Sequence, residues 1–317
     1  MSKKQTSDKK LKTPLRYPGG KSRAIKTLDA YLPDNMDGIT EYRELFLGGG
    51  SLAIHITKKY SHLKVHVNEL HHPLYNFWIH LRDNGPKLHE MIIELKENYE
   101  DPLYESTGKP YRIEMVDGKP KKRHPNHRKA KSLFIMAKTH LLQNRKNNGI
   151  LEAAYFYVTN KCSFSGLGES SSFSALASIS NFSREGINRL PGYSKIIKDW
   201  VITNHSYEKL LDDKECVLYY LDPPYDIKDN LYGQNGDMHK GFNHDDFATD
   251  CQQIKESSVL VSYNSANLVK NRFNTAGWHK YDFDLTYTMR STGTYGKDQK
   301  KRKELLLLNY KILNPGE

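Results

Sequence analysis

The residues best suited to chemistry are Asp222-Pro223-Pro224-Tyr225, directly after the apolar run Val217-Leu218-Tyr219-Tyr220-Leu221. Two consecutive prolines fix φ twice and remove two backbone donors. The backbone there becomes a stiff edge of carbonyl acceptors. A carboxylate beside that edge suits an amino group that must give up a proton. Tyr225 adds a flat face for a planar ring. An exocyclic amine on a heteroaromatic ring is a weak nucleophile, because its lone pair is delocalised. Acceptance of its hydrogens by Asp222 and the Pro223 carbonyl favours a more pyramidal, reactive nitrogen. The plainer alternative is a Pro-Pro turn at a strand end with Asp222 capping a helix. The strand before it and a glycine motif upstream weigh against that alternative.

The glycine motif is Phe46-Leu47-Gly48-Gly49-Gly50-Ser51. Three glycines after a strand let the backbone approach a ligand and turn sharply into a helix. The pattern is not G-x-G-x-x-G, and no Walker lysine follows. Glu69 strengthens it: an acid at the end of the next strand is placed to take the two hydroxyls of a ribose. Together they indicate a nucleoside cofactor without requiring a phosphate. A third motif, Arg16-Tyr17-Pro18-Gly19-Gly20-Lys21-Ser22, combines turn chemistry, a cation and a possible N-cap serine ahead of a helix. It reads as a lid over the charged amino-acid end of such a cofactor, and standing alone it would be a plain turn.

These residues need a frame. Strand patterns recur at Glu41–Phe46, Lys64–Val67, Trp200–Thr203, Val217–Leu221, Val259–Tyr263 and Leu305–Tyr310. Helical patterns lie near Lys21–Tyr31, Leu52–Tyr60, Pro86–Tyr99, His244–Lys255 and Ala266–Phe273. Alternation of this kind predicts an α/β fold with a mostly parallel sheet covered on both faces. Ligands then bind at the carboxyl ends of the strands, where the glycines, Glu69 and Asp222 fall. The last strand is expected to pair antiparallel with one near Lys280–Leu285. Between about 84 and 199 the alternation breaks, and that stretch reads as an inserted, mainly helical domain with a helix at Arg128–Leu142. Residues 1–13 read as a basic arm, and 14–83 with 200–317 as the catalytic domain.

The net charge is +11, and the segment Lys109–Lys146 alone carries a net +10. A localised basic block beside a near-neutral body points to a polyanion. Tyr111, His124, His127, Asn144 and Asn148 are interleaved with the charges. No apolar run approaches a membrane span, and the first residues lack the apolar core of a secretory signal. Cys162, Cys216 and Cys251 form no C-x-x-C pair, which disfavours disulfides and a cysteine zinc site and makes a reducing cytoplasm the natural compartment. Nothing resembles H-E-x-x-H, and the chemistry calls for no metal.

Together these segments resemble the Dam-like, D12-class DNA adenine-N6 methyltransferases. The matching stretches are Tyr17–Lys21, Glu44–Ser51, Asn68-Glu69, Ser206-Tyr207, Asp222–Tyr225 and Glu304–Leu306, in family order. The resemblance implies a Rossmann-like methyltransferase sheet with an inserted target recognition domain. It implies S-adenosylmethionine held by Tyr17, Gly20, Lys21, Phe46, Gly48, Gly49, Gly50, Ser51, Glu69, Ser206 and Asp222. Lys21 would lie near its methionine end. It implies a flipped adenine between Asp222, Pro223, Pro224 and Tyr225. The DNA contacts expected in the insert are Lys121, Lys122, Arg123, Arg128, Lys129, Lys131, Arg145, Lys146, Asn160 and Lys161. Glu69 stands where family members often carry Asp. The segment Asn160–Gly166 departs from that of GATC readers, which leaves the recognition sequence open. Cytosine N4, an RNA amine, or a nucleic-acid-binding protein without activity stay as alternatives. Oligomeric state and any paired restriction enzyme are not legible.

Overall fold

A computed structural model describes residues 11–17, 19–99, 112–123, 128–144, 146–166, 170–225, 241–285 and 302–313. Among them, nine strands follow in chain order: β1 (Glu41–Glu44), β2 (Lys64–Asn68), β3 (Arg112–Val116), β4 (Lys119–Arg123), β5 (Val201–Thr203), β6 (Val217–Leu221), β7 (Ser258–Asn264), β8 (His279–Leu285) and β9 (Arg302–Leu308). Two compact units divide the chain. One comprises Met1–Thr13, Tyr17–Tyr75 and Ile196–Glu317; the other comprises Pro14–Arg16 and Asn76–Lys195.

The first unit is built on a seven-stranded sheet of order β5-β2-β1-β6-β7-β9-β8. The β5-β2-β1-β6-β7 portion is parallel throughout, and β9 runs antiparallel to both β7 and β8. The mixed α/β architecture with a mostly parallel sheet fits a methyltransferase fold. All five residues of β6 are buried, as a central strand covered on both faces must be. Helices His244–Gln253 and Asn267–Arg272 cover one face, where Phe247, Cys251, Val269 and Phe273 pack with Leu45, Leu221, Val261 and Leu307. The chain runs from β1 outward to β2 and β5, then returns to place β6 on the other side of β1. The crevice at the carboxyl ends of β1 and β6 is therefore a topological switch point.

Register brings polar residues into one file there. Glu44 pairs with Tyr220, Ser262 with Leu306, and Asn264 with Glu304. Alternate strand residues share a face, so Glu44, Tyr220, Ser262, Asn264 and Glu304 stand on one side of the sheet.

The second unit centres on helix Ile150–Cys162, which buries ten of its residues, with helices Gly85–Asn98 and Arg128–Gln143 against it. The unit is not helical throughout: β3 and β4 form an antiparallel hairpin closed by Asp117 and Gly118, with φ of 53° and 71°. Two consecutive positive φ values are the signature of a type I′ turn.

Three expectations need correction. The stretch Lys21–Tyr31 is a 3-10 turn, Lys21–Arg23, followed by a short helix, Ile25–Ala30. Ser22 lies inside that turn, and Gly20 takes the N-cap position without a side-chain bond. The last strand starts at Arg302 and ends at Leu308, because its charged first residues already pair with β8.

Candidate active site

The glycine loop is shaped by backbone conformations that side chains resist. Gly48 and Gly50 have φ of 48° and 62°, in the left-handed region that favours glycine. A Cβ at Gly48 would come within 2.7 Å of the Tyr17 ring, and one at Gly49 within 3.1 Å of Tyr17 Cβ. Gly50 leads directly into helix Ser51–Lys59. Asn68, buried at the end of β2, donates to the carbonyls of Leu45 and His205 and accepts the His205 N–H. It ties together the exits of three strands. Glu69 follows it, and its two oxygens accept the N–H groups of Gly48 and His71, each at 2.9 Å. Burial raises the Glu69 pKa, against those two bonds.

A cavity of about 720 Å³ opens at this switch point. Tyr17, Gly20, Lys21, Phe46, Gly48, Gly49, Gly50, Ser51, Glu69, Ser206, Asp222 and Pro224 all line it. Glu44, Tyr220, Phe242, Glu208, Asp246 and Asp250 line it too. Among the described residues, the lining thus carries six carboxylates and one lysine. Pro223 is buried behind the wall, and Tyr225 stands beside the cavity, packed with its ring 5.9 Å from that of Tyr263 at 23°.

Lys21 is buried in the cavity wall and bonded to the Asp-Pro-Pro-Tyr residues. Its Nζ donates to both oxygens of Asp222 at 2.7 Å and to the Tyr225 hydroxyl at 2.9 Å. The Tyr225 hydroxyl in turn donates to Glu304 in a short hydrogen bond. Ser262 donates to Asp222 at 3.3 Å. Burial raises the Asp222 pKa, and the Lys21 charge opposes that shift. Glu44 is more strongly perturbed: burial pushes it up to about 8, despite the 2.7 Å bond from Tyr42. The Asp222 charge adds to the rise. Glu44 and Glu304 had no assigned role in the sequence. Only strand register, which a linear reading does not supply, places them beside Asp222 and Tyr225.

In the second unit the expected DNA contacts separate. Lys121, Arg128, Lys129, Lys131 and Lys146 are exposed. Lys122 and Arg123 lie on β4, with only their backbone described, and Arg145 lies outside the described residues. Asn160 is only 1% exposed. Its amide accepts the Arg16 N–H and donates to the Arg16 and Gly166 carbonyls. Buried and bonded in this way, Asn160 is an internal brace and not a surface DNA contact. Lys161 is half-buried, its ammonium 5.2 Å from the Tyr157 ring centroid. Burial and the Arg16 charge push its pKa down to about 7. The charges of β4 mask the hairpin pattern in the sequence, although Asp117-Gly118 between alternating residues is a hairpin signal.

The mostly parallel sheet, the glycine loop, Glu69 and the Asp-Pro-Pro-Tyr edge meet at one crevice in a mixed α/β unit that fits a methyltransferase fold. Residues 17–286 match the family model of the D12 class N6 adenine-specific DNA methyltransferases, and the chain belongs to that family. No curated protein matches the chain significantly. Membership supports adenine methylation in DNA as its general chemistry.

Proposed function

We propose that the chain transfers a methyl group from S-adenosylmethionine to N6 of an adenine flipped out of duplex DNA at a specific site. The observation carrying this reading is the one cavity that joins the glycine loop, Glu69 and Lys21 to Asp222. S-adenosylmethionine supplies an electrophilic methyl on a sulfonium cation. The cavity suits it in size, in a glycine loop that packs closely under the Tyr17 ring, and in its acidic lining. Glu69 would take the ribose hydroxyls on its remaining lone pairs. Tyr17, Gly20 and Lys21 would face the methionine end, with Phe46, Gly50, Ser51 and Ser206 completing the walls.

Asp222 and the Pro223 carbonyl would accept the hydrogens of the target amine, with Pro224 stiffening the edge. Lys21 then has to yield at least one Asp222 oxygen. Until it does, the Lys21 charge opposes the rise that burial imposes on the Asp222 pKa. Tyr225 would stack on the target base, which must leave the helix because its N6 is otherwise out of reach. Catalysis would rest mainly on positioning.

The second unit serves as the target recognition domain in this reading. Helix Arg128–Gln143 opens with Arg128, Lys129 and Lys131 and has no acid in its first turn. Cations at the positive end of a helix dipole are unfavourable until an anion meets them. The hairpin exposes Lys119 and Lys121 alongside Ile113 (58%) and Met115 (67%), a mixture suited to phosphate and groove contact. The test is transfer of a tritiated methyl to duplex DNA, followed by nucleoside analysis. N6-methyladenine is expected, and Asp222→Ala should abolish it while the protein still binds S-adenosylmethionine. Full activity in Asp222→Ala, or product on cytosine alone, would defeat the proposal.

A further inference from the structure

Glu304 is a buried acid in an apolar row. It begins the sequence Glu304-Leu305-Leu306-Leu307-Leu308 on β9, and all five residues are 0–1% exposed. A carboxylate in such a place is costly unless hydrogen-bonded. One bond it accepts comes from the Tyr225 hydroxyl, which also accepts from Lys21, which also holds Asp222. The four side chains form one line: Glu304, Tyr225, Lys21, Asp222.

We infer that Glu304 is a positioning residue: by accepting the Tyr225 hydroxyl it fixes the depth at which the Tyr225 ring edge sits and keeps that hydroxyl available to Lys21. The stacking role of the ring rests on the function proposed above. A tyrosine χ2 well is broad and two-fold. Stacking on Tyr263 at 23° limits the plane of the ring, but not the depth at which its edge sits. The tether at the hydroxyl supplies the missing restraint from a strand fixed in the sheet by pairing on both sides.

The test is a double-mutant cycle of Tyr225→Phe with Glu304→Met, which fills the same space with an apolar chain, and with Glu304→Gln, which keeps an acceptor oxygen. For methyl transfer, Glu304→Met should lower kcat about tenfold, the scale of one lost charged hydrogen bond, with affinity for S-adenosylmethionine unchanged. Glu304→Gln should retain most of kcat. In the Tyr225→Phe background, Glu304→Met should add almost nothing, because its route of action is gone. Independent, multiplying effects would overturn the inference. A second arm does not depend on activity: 3-fluorotyrosine at position 225, read by 19F NMR in the full chain. Its resonance should move in Glu304→Met and much less in Glu304→Gln. A resonance indifferent to both variants would overturn the inference. Failure of the wild type to methylate adenine would count only against the proposed function.

Discussion

Replacing Glu44 by Gln should change how stability depends on pH more than it changes stability itself. Glu44 is buried under the cavity, accepts from Tyr42, and has its pKa raised from 4.5 to about 8. In the unfolded chain it ionises near its ordinary value, while in the folded protein it keeps its proton until about pH 8. Below pH 4.5 both states hold the proton, and this group contributes no pH dependence. Between 4.5 and about 8 only the folded state holds it, so stability falls steadily as pH rises. Above about 8 the loss is complete. A displacement of that size corresponds to at most about 4–5 kcal/mol. Gln keeps the acceptor for Tyr42 and cannot titrate. Urea unfolding of both proteins from about pH 5 to about pH 9 should give curves that diverge with pH, the variant holding the stability that the wild type loses. Parallel curves would refute Glu44 as the titrating group.

Glu69→Ala should weaken the rise in thermal midpoint given by S-adenosylmethionine, since a ligand of the native state stabilises it by mass action; an unchanged shift would remove the ribose role. Reversing Lys121, Lys122 and Arg123 to Glu should weaken binding to all DNA sequences. It should flatten the slope of log affinity against log salt by about 2–3; an unaltered slope would leave these residues as plain surface. Asn160→Ala should cost about 1–3 kcal/mol of stability by stranding the Arg16 backbone and Gly166 carbonyl, measured by urea unfolding. At temperatures where that variant is folded, its DNA affinity should match the wild type, and a selective loss of binding would mark Asn160 as a DNA contact after all.

The parts of the fold that were legible had local causes. Val217–Leu221 reads as a strand because every residue is apolar and the sheet buries all of it. Gly48–Gly50 and Asp222–Tyr225 read as site residues because their backbone chemistry is unusual wherever it occurs. What escaped depended on partners distant in sequence. Lys21 meets Asp222 across 201 residues, and Tyr225 meets Glu304 across 79. Glu44 and Glu304 fall in stretches that carry the family resemblance, but their roles beside Asp222 and Tyr225 depend on strand register. Asn160 misled for the opposite reason: a polar residue next to Lys161 resembles a DNA contact, and only the path of Pro14–Arg16 shows where its amide is spent. In β3 and β4 the charge pattern concealed a hairpin whose turn residues were in plain view.

The position of β9 in the sheet bears on when the site becomes whole. β8 is synthesised before β9, yet among the described residues its one sheet neighbour is β9, which inserts between β7 and β8. At a synthesis rate of about 5–20 residues per second, β8 waits for its partner while the following segment is made. Over the same interval the Tyr225 hydroxyl lacks Glu304. Pairing of β9 joins β8 to β7 and supplies the Tyr225 anchor in one event, so a ribosome-bound chain stopped before residue 302 should lack the bond from Tyr225 to Glu304.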